Sequence, residues 1–356
     1  NQTPDAALPS KKEKSWAVGL TNEMVAKQEA FFNVRVKHPA MQRLLDDMMP
    51  LLMPYSESNL IVVTGPTGAG KSTVTRVLLK ELFQDFAQLM QDDKSVVPLI
   101  AVEAYANGDT RHSFKEIYTS MRQQLLETGV DQTAPTVMSE GKLKVKPMAR
   151  NTVGALRFAV EEGLKKRRTR VGVIDEAAHL LRFDKKAVVM DTLKSLANTT
   201  GTKWVLVGSY DLFDLVLENG QVARRTTILN LGRYHIDQEE DRNEFAEIIR
   251  KLMKKWPSEE KPNFVAISDA LLEASLGCVG LLKSLLLDAS AMQLRAGGKW
   301  NPEFLKKAAK ASKIRQVIQA EIRAGEEKVR DAIHGNSIWD DKMFAGLVHT
   351  METASV

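Results

Sequence analysis

The stretch that decides the fold class is NLIVVTGPTGAGKST, residues 59–73. Its first part, 59–65, is an apolar run of strand length, typical of a strand buried on both faces of a parallel sheet. The octet from Gly65 to Ser72 is a complete GxxxxGK[ST] pattern, and helical sequence follows it directly. A chance glycine-rich turn would not have a buried strand before it and a helix after it. The stretch therefore predicts a P-loop nucleotide-binding domain.

Each residue type in this octet has a physical role. The glycines let backbone N–H groups turn inward around phosphates at the positive end of the next helix. Lys71 is expected to reach the β- and γ-phosphates, and the Ser72 hydroxyl to ligate Mg²⁺. The predicted cofactors are thus ATP and Mg²⁺. The predicted nucleotide-binding residues in this loop are Gly65, Pro66, Thr67, Gly68, Ala69, Gly70, Lys71, Ser72 and Thr73.

A second motif, VGVIDE at 171–176, is an apolar strand that ends in two acids. Asp175 is expected to hold the Mg²⁺ shell beside the nucleotide, and Glu176 to orient and deprotonate the attacking water. An isolated acid pair after a strand would more simply begin a helix, where the macrodipole favours it. Pairing with a phosphate loop upstream, across an intervening strand at 95–104, favours the catalytic interpretation. The order of motifs indicates a hydrolytic ATPase rather than a nucleotide kinase.

Four further residues are candidates because of their positions. Ser209 ends the fourth predicted strand, where a polar residue would touch the γ-phosphate or the attacking water, although serine is also a common turn residue. Arg224 and Arg225 precede the fifth predicted strand. In an oligomer one of them would enter the neighbour's site and stabilise transition-state charge, whereas exposed arginines commonly just cover apolar surface. Lys283 would report phosphate occupancy to a small helical domain, or simply lie on an amphipathic helix.

Five strand-like runs alternate with helical sequence, and from about Asp237 the pattern is helical. This alternation predicts an α/β fold with a five-stranded, largely parallel sheet, followed by a small helical lid and a helical C-terminal extension. The extension either packs on the lid through the side of Phe304, Ala308 and Ile314 or docks a protein partner. The predicted segments are a disordered leader with N-terminal helices (1–58), the P-loop ATPase core (59–235), the lid (236–300) and the extension (301–356).

Composition and charge narrow the class of protein. The chain has 50 Lys and Arg against 45 Asp and Glu, a net charge of +5, which is compatible with a nucleic-acid partner without proving one. No apolar run approaches the length of a bilayer span, and no secretory signal is visible. The single cysteine, Cys278, excludes an internal disulfide. These observations exclude a membrane protein or a disulfide scaffold and predict a cytoplasmic location.

Positive charge is concentrated between Lys142 and Arg170, where ten Lys or Arg face only Glu161 and Glu162. Lysine and arginine contacts to phosphates give sequence-independent affinity for DNA, although a charged stretch can equally be a solvated surface. Residues 131–148 are expected to form a polar, basic loop. The predicted DNA-binding residues are Arg111, Lys115, Lys142, Lys144 and Lys146.

Together these features resemble the AAA+ family of ATPases over about 59–295. A narrower resemblance is to the TniB/TnsC family of DNA-transposition regulators, over most of 35–290. It rests on four stretches: VKHPAMQRLLDDMMPLLMPYSESNLIVVTGPTGAGKST, VIDEAAHLL, LKSLANTTGTKWVLVGSYDLFDLVLENGQVARR and LGCVGLLKSLLLDA. The chain departs from the AAA+ pattern at Lys283, where the second sensor is usually an arginine.

This resemblance implies an ATP-dependent oligomer, a ring or helical filament, that encircles or coats duplex DNA. In the family ATP favours assembly and hydrolysis dismantles it. The oligomer marks a target site and links a target-selector protein to the transposase, and its location would be bacterial and nucleoid-associated. Two alternatives stay open. An AAA+ loader or initiator of DNA replication would usually add a DNA-reading module, which the sequence lacks, and a signalling ATPase with only protein partners would not bind DNA.

Overall fold

The computed structural model describes residues 21–104, 114–125, 136–139, 142–145, 152–182, 186–217, 226–309 and 312–333. Their strands are β1 (Leu60–Thr64), β2 (Leu99–Glu103), β3 (Thr136–Ser139), β4 (Lys142–Val145), β5 (Val171–Asp175), β6 (Lys203–Val207) and β7 (Thr226–Asn230). Five of them form one sheet in the order β2-β5-β6-β1-β7, and every neighbouring pair is parallel. The predicted five-stranded parallel sheet is confirmed.

The helices before and within the sheet are α1 (Asn22–Asn33), α2 (Pro39–Leu51), α3 (Lys71–Asp85), α4 (Ala87–Asp92), α5 (Phe114–Gln124), α6 (Val153–Lys166), α7 (Lys186–Thr200) and α8 (Phe213–Leu217). Those after it are α9 (Glu239–Met253), α10 (Ser268–Ala274), α11 (Val279–Arg295), α12 (Glu303–Ala308) and α13 (Ser312–Ile333). Short 3₁₀ helices lie at Ala177–Arg182, Tyr210–Leu212 and Phe264–Ile267. None of the helices described is both long enough and apolar enough to cross a membrane.

The sheet is covered on both faces, which explains why β1 and β6 are buried along their whole length. On one face, Leu60 and Trp204 pack with α5, α6 and α7. On the other, Ile61 and Val205 pack with α2 and α3. Gly172 is required on β5 because a Cβ there would overlap the ring of Trp204. The carboxyl ends of these strands thus meet on a rigid edge.

The two N-terminal helices belong to different bodies. The Phe31 ring of α1 is fully buried in the helical lid, edge-to-face with Trp256 at 5.4 Å. Helix α2 begins at Pro39, a residue suited to the first helical position, and buries Met41 and Leu45 against the sheet. The chain therefore runs from the lid to the core before it enters β1.

Three sequence expectations need correction. Residues 131–148 are not a loop throughout, since β3 and β4 pair as an antiparallel hairpin in register Thr136 with Val145, and the β-branched residues near it favour strands. The helix after the phosphate loop is interrupted at Phe86, between α3 and α4. Ile314 does not pack on the lid, because its side chain is 53% exposed, although Ala308 does contact the lid core.

Candidate nucleotide site

The loop at 65–70 connects the carboxyl end of β1 to α3, where the sequence motif predicts a phosphate cradle. Gly68 and Gly70 have φ of 83° and 110°, in the left-handed region that favours glycine. Gly65 is required for space, since a Cβ there would overlap the carbonyl oxygen of Leu231 on the neighbouring connection. The loop conformation therefore depends on the glycines of the motif, and it directs the amino end of α3 at the site.

Lys71 folds back over this loop. Its Nζ donates hydrogen bonds to the carbonyl oxygens of Gly65 and Pro66, both at 2.9 Å. Burial lowers the pKa of Lys71, whereas the nearby carboxylates of Glu176, Glu321 and Asp175 act to raise it. The side chain is thus held at the loop, where β- and γ-phosphate oxygens would replace the two carbonyls.

Asp175 and Glu176 lie beside the loop at the end of β5, the second strand over from β1. The Asp175 Oδ1 accepts the backbone N–H of Glu176 at 2.9 Å. Glu176 has φ of 50°, a left-handed conformation that is strained for a residue with a Cβ. Asp175 is half-buried and Glu176 is exposed. The two acids at this turn thus differ in exposure, and their roles as metal-shell residue and base stay predictions.

The predicted magnesium ligands fit the metal chemically. Ser72 and Asp175 offer a hydroxyl and a carboxylate oxygen, the hard donors that Mg²⁺ prefers, and Mg²⁺ sites usually share ligands with substrate phosphates and water. Thr73, the last residue of the predicted loop set, is half-buried in the first turn of α3. Among the residues that the structure describes, no cluster of three His, Cys, Asp or Glu could hold a metal without a nucleotide.

Ser209 follows β6 and is the residue before the 3₁₀ helix at Tyr210–Leu212. Its Oγ is hydrogen-bonded to Asp211 Oδ2 at 3.1 Å. Because β6 pairs directly with β1, Ser209 lies on the same edge of the sheet as the phosphate loop. Arg224 and Arg225 lie outside the described residues, so their role as arginine fingers stays a prediction.

Lys283 is not brought to the phosphate loop. Its Nζ donates to the carbonyl oxygens of Phe32, at 2.6 Å, and Val34, beyond the end of α1. Burial, followed by the charges of Arg35 and Arg76, lowers the pKa of Lys283 to about 8. The sensor role therefore stays a prediction that requires this side chain to leave α1.

The lid contacts the loop through Gly280 instead, a residue that the sequence analysis missed. The Gly280 N–H donates to the carbonyl oxygen of Gly68 at 2.7 Å, and a Cβ at Gly280 would come within 2.7 Å of the same oxygen. The signal available in the sequence was the glycine at the start of the LLKSLLLDA helix. The lid thus touches the phosphate loop backbone to backbone.

His38 was also missed. Its side chain is 3% exposed, and its Nδ1 lies 2.9 Å from the Tyr234 hydroxyl. That hydroxyl also accepts a hydrogen bond from the Ala40 N–H at 3.3 Å. His38 Nε2 has no partner and lies beside Gly70, 3.8 Å from where a Cβ would be. Burial lowers the pKa of His38 to about 4.

The predicted DNA-binding residues are not gathered into one surface by the described structure. Lys115 is exposed on α5. Lys142 and Lys144 lie in β4, for which the structure describes the backbone only, and Arg111 and Lys146 fall outside the described residues. The proposed DNA contacts therefore stay predictions.

Comparisons with known proteins agree with this geometry. Residues 55–216 match the family model described as AAA domain, which includes the loop, Asp175, Glu176 and Ser209. No curated protein matches the sequence. The structure resembles the Aeropyrum pernix ORC2 protein in its ADP form, with a TM-score of 0.55 and 14% identity over 92% of this chain and 89% of that one.

It also resembles the Aeropyrum pernix ORC1 protein in complex with DNA, with a TM-score of 0.54 and 15% identity over 92% of this chain and 87% of that one. At such identity the likeness concerns the fold. Residues 55–216 thus match an AAA domain, and the chain has the AAA+ fold, as the sequence predicted. Membership of the TniB/TnsC family stays a prediction.

Proposed function

We propose that this chain is an ATP-hydrolysing switch that assembles on duplex DNA and regulates transposition. The observation that carries the ATPase part is the convergence of Lys71, Asp175 and Glu176 at one edge of the sheet, beside a glycine loop in the required conformation. ATP would supply the phosphoryl group, and Mg²⁺ would neutralise its charge. Thr73 and the loop N–H groups would hold phosphates, while Ser72 and Asp175 would hold the metal.

In this site Glu176 would accept a proton from the attacking water, since it is exposed and adjacent to the metal-holding acid. Ser209, at the end of the strand between β1 and β5, would orient the same water or the γ-phosphate. A neighbouring copy would supply Arg224 or Arg225, because charge developing on the transferred phosphoryl group needs a further cation. Assembly and hydrolysis would then be coupled through one interface.

The DNA part of the proposal is supported by the net charge of +5 and by the basic stretch at 142–170. Such a surface would bind the phosphate backbone without reading bases. The transposition assignment is supported by the order and spacing of the motifs that resemble the TniB/TnsC regulators. In this proposal the oligomer would mark target DNA, and the cutting and joining would belong to a separate transposase.

A direct test is the fluorescence anisotropy of a labelled duplex of random sequence, titrated with protein in a non-hydrolysable ATP analogue or in ADP. Steep, cooperative binding with the analogue and little with ADP is expected. Lys71→Ala serves as the control that lacks the nucleotide response. Binding that is absent or equal in both nucleotides would contradict an ATP-gated assembly and favour a switch that acts on proteins alone.

A replication loader or initiator is the second candidate, favoured by the fold shared with the ORC1 protein that was solved in complex with DNA. The two functions differ in their DNA dependence. If the protein coats DNA, a longer duplex should bind more copies of it, with no preference for sequence. An initiator should saturate at a fixed stoichiometry on a preferred sequence, and that result would replace the transposition assignment.

A further inference from the structure

Helix α13, the longest of the described helices, bridges the lid and the core beside the phosphate loop. Ile322 is 2% exposed and packs with Leu276 and Cys278 of the lid. One to two turns later, Val329 packs with Tyr210 and Phe213, which follow β6 in the core. The helix therefore crosses the cleft between the two bodies and holds them in their present arrangement.

Polar contacts tie the same face of α13 to the edge of the sheet that carries the site. Arg233, which follows β7, donates from Nε and Nη2 to the two carboxylate oxygens of Glu326, at 2.7 and 3.2 Å. Lys328 Nζ donates to Asp214 Oδ1 at 2.9 Å. These pairs are partly exposed, so each stabilises docking only weakly. Such contacts are reversible.

Glu321 is the contact that concerns the nucleotide. Its Oε1 accepts a hydrogen bond from the Thr67 hydroxyl, inside the phosphate loop, at 3.2 Å. Its charge also acts on Lys71. A carboxylate at this position stands among the groups that are expected to bind phosphate, and its negative charge opposes the charge of a triphosphate.

Gly325 shows how closely the helix is seated. A Cβ at Gly325 would overlap the ring of Tyr210, which is 5% exposed. The backbone of α13 therefore lies directly on that ring, with no room for even one methyl group. Packing this close does not allow a partly docked helix, so α13 is expected to be either docked on Tyr210 or detached from it.

We infer that α13 is a detachable strap that competes with the triphosphate for the phosphate loop. Docked, it places Glu321 on Thr67 and clamps the lid to the core. The triphosphate displaces Glu321 and frees the helix, which exposes Ile322 and Val329 in addition to Ile314 and Val317, already exposed in the docked state. This inference rests on the proposed ATP site, and it adds regulation of that site by the C-terminal extension.

The test compares three full-length variants with the wild type. Glu321→Gln removes the charge, Gly325→Ala forces the helix off Tyr210, and Glu327→Gln is the matched control at an exposed position of the same helix. The affinity for a fluorescent ATP analogue is measured by anisotropy. The first two variants should bind about fivefold tighter or more, the lower range for coupled sites, with a smaller gain for the ADP analogue. Glu327→Gln should match the wild type.

Hydrogen exchange of the wild-type chain provides the second readout. Adding a non-hydrolysable ATP analogue should slow exchange at 65–73 and accelerate it across 312–333. If the wild type binds the analogue but Glu321→Gln and Gly325→Ala do not bind it more tightly, and α13 is slowed or unchanged, the strap is wrong and α13 is a fixed part of the site. If no variant binds the analogue, the ATP site itself is wrong, and the inference fails with it.

Discussion

Lys71 and Lys203 lie near opposite ends of the parallel strands, Lys71 beyond the carboxyl end of β1 and Lys203 at the start of β6. Each side chain donates hydrogen bonds to two backbone carbonyls. Lys71 Nζ donates to the carbonyls of Gly65 and Pro66, and Lys203 Nζ donates to those of Ser56 and Ser58, at 2.6 and 2.8 Å. Burial lowers the pKa of both ammonium groups.

Their surroundings differ. Glu176, Glu321 and Asp175 all act on Lys71, whereas burial alone accounts for the shift at Lys203. Lys203 closes the turn before β1, and Lys71 extends from a glycine loop that provides N–H groups for an anion. A lysine on backbone carbonyls is therefore not by itself a sign of function. The carboxylates around it and the loop beneath it make the difference, and the following predictions test that difference.

The largest effect is expected at Glu176, the acid that distinguishes the surroundings of Lys71. Glu176→Gln should lower kcat for ATP hydrolysis by about 10²- to 10⁴-fold, the usual contribution of a general base. Nucleotide affinity should change little, because the amide keeps the shape of the side chain. Steady-state hydrolysis and equilibrium binding of an ATP analogue measure the two quantities. Normal turnover in this variant would show that Glu176 is not the base.

Lys71→Met should weaken ATP binding about a hundredfold, since a charge-assisted contact to phosphate contributes up to about 3 kcal/mol. The thermal unfolding midpoint should change little, because the loss of the donor to the Gly65 and Pro66 carbonyls is offset by the removal of a more deeply buried ammonium. Isothermal titration and thermal unfolding are the measurements. A variant that bound ATP normally would contradict the nucleotide assignment, and one that failed to fold would make Lys71 a structural lysine like Lys203.

His38 is a third buried residue with a basic side chain, and its burial should make the stability of the protein depend on pH. Its pKa is about 4 in the folded chain against an ordinary 6.5, because of burial. As pH falls from 6.5 to 4, His38 therefore becomes protonated in the unfolded chain but stays neutral in the folded chain. Stability should fall by about 3 kcal/mol across this window, at about 1.4 kcal/mol per pKa unit. Urea unfolding at stepped pH values measures the loss.

His38→Asn should flatten the slope that His38 causes between pH 6.5 and 4, because asparagine does not titrate. None of the histidines that the structure describes is exposed, so the half-buried His235 serves as the comparison through His235→Asn. An identical slope in wild type and His38→Asn would mean that His38 titrates normally and that its ring is not held neutral beside Gly70.

Lys203→Met should lower stability and leave ATP binding unchanged, whereas Lys71→Met should mainly weaken ATP binding. Without the Lys203 ammonium, the carbonyls of Ser56 and Ser58 lose their donor, which should cost about 1–3 kcal/mol of unfolding free energy. The affinity of the folded fraction for an ATP analogue should be unchanged, because Lys203 lies near the opposite end of the parallel strands. A loss of affinity with unchanged stability would remove the distinction between the two lysines.

Much of this site was predictable because it is local in sequence. The loop from Gly65 to Ser72 needs only glycine conformations and a following helix, all within one stretch of sequence. The five parallel strands followed from their apolar runs. These features depend on residues that are neighbours along the chain.

The features that were missed depend on contacts between distant segments. His38 meets Tyr234 and Glu321 meets Thr67, 196 and 254 positions apart. No local pattern encodes such a meeting, since a histidine before a proline and a glutamate on a charged helix occur in many contexts. The hairpin of β3 and β4 was missed for another reason. Its polar composition outweighed the short alternation that favours strands.

The division of α1 and α2 between lid and core has a mechanical consequence. Apart from α13, the lid is joined to the core by two separate chain crossings, 34–38 after α1 and 231–238 after β7. A body held at two points turns about the line that joins them, so the lid has one axis of rotation rather than a free swing. The hydrogen bond between His38 and Tyr234 links the two crossings and acts as the pin of that axis. Once α13 is detached, lid opening should therefore follow a single angle, which the distance between one pair of spectroscopic labels would measure.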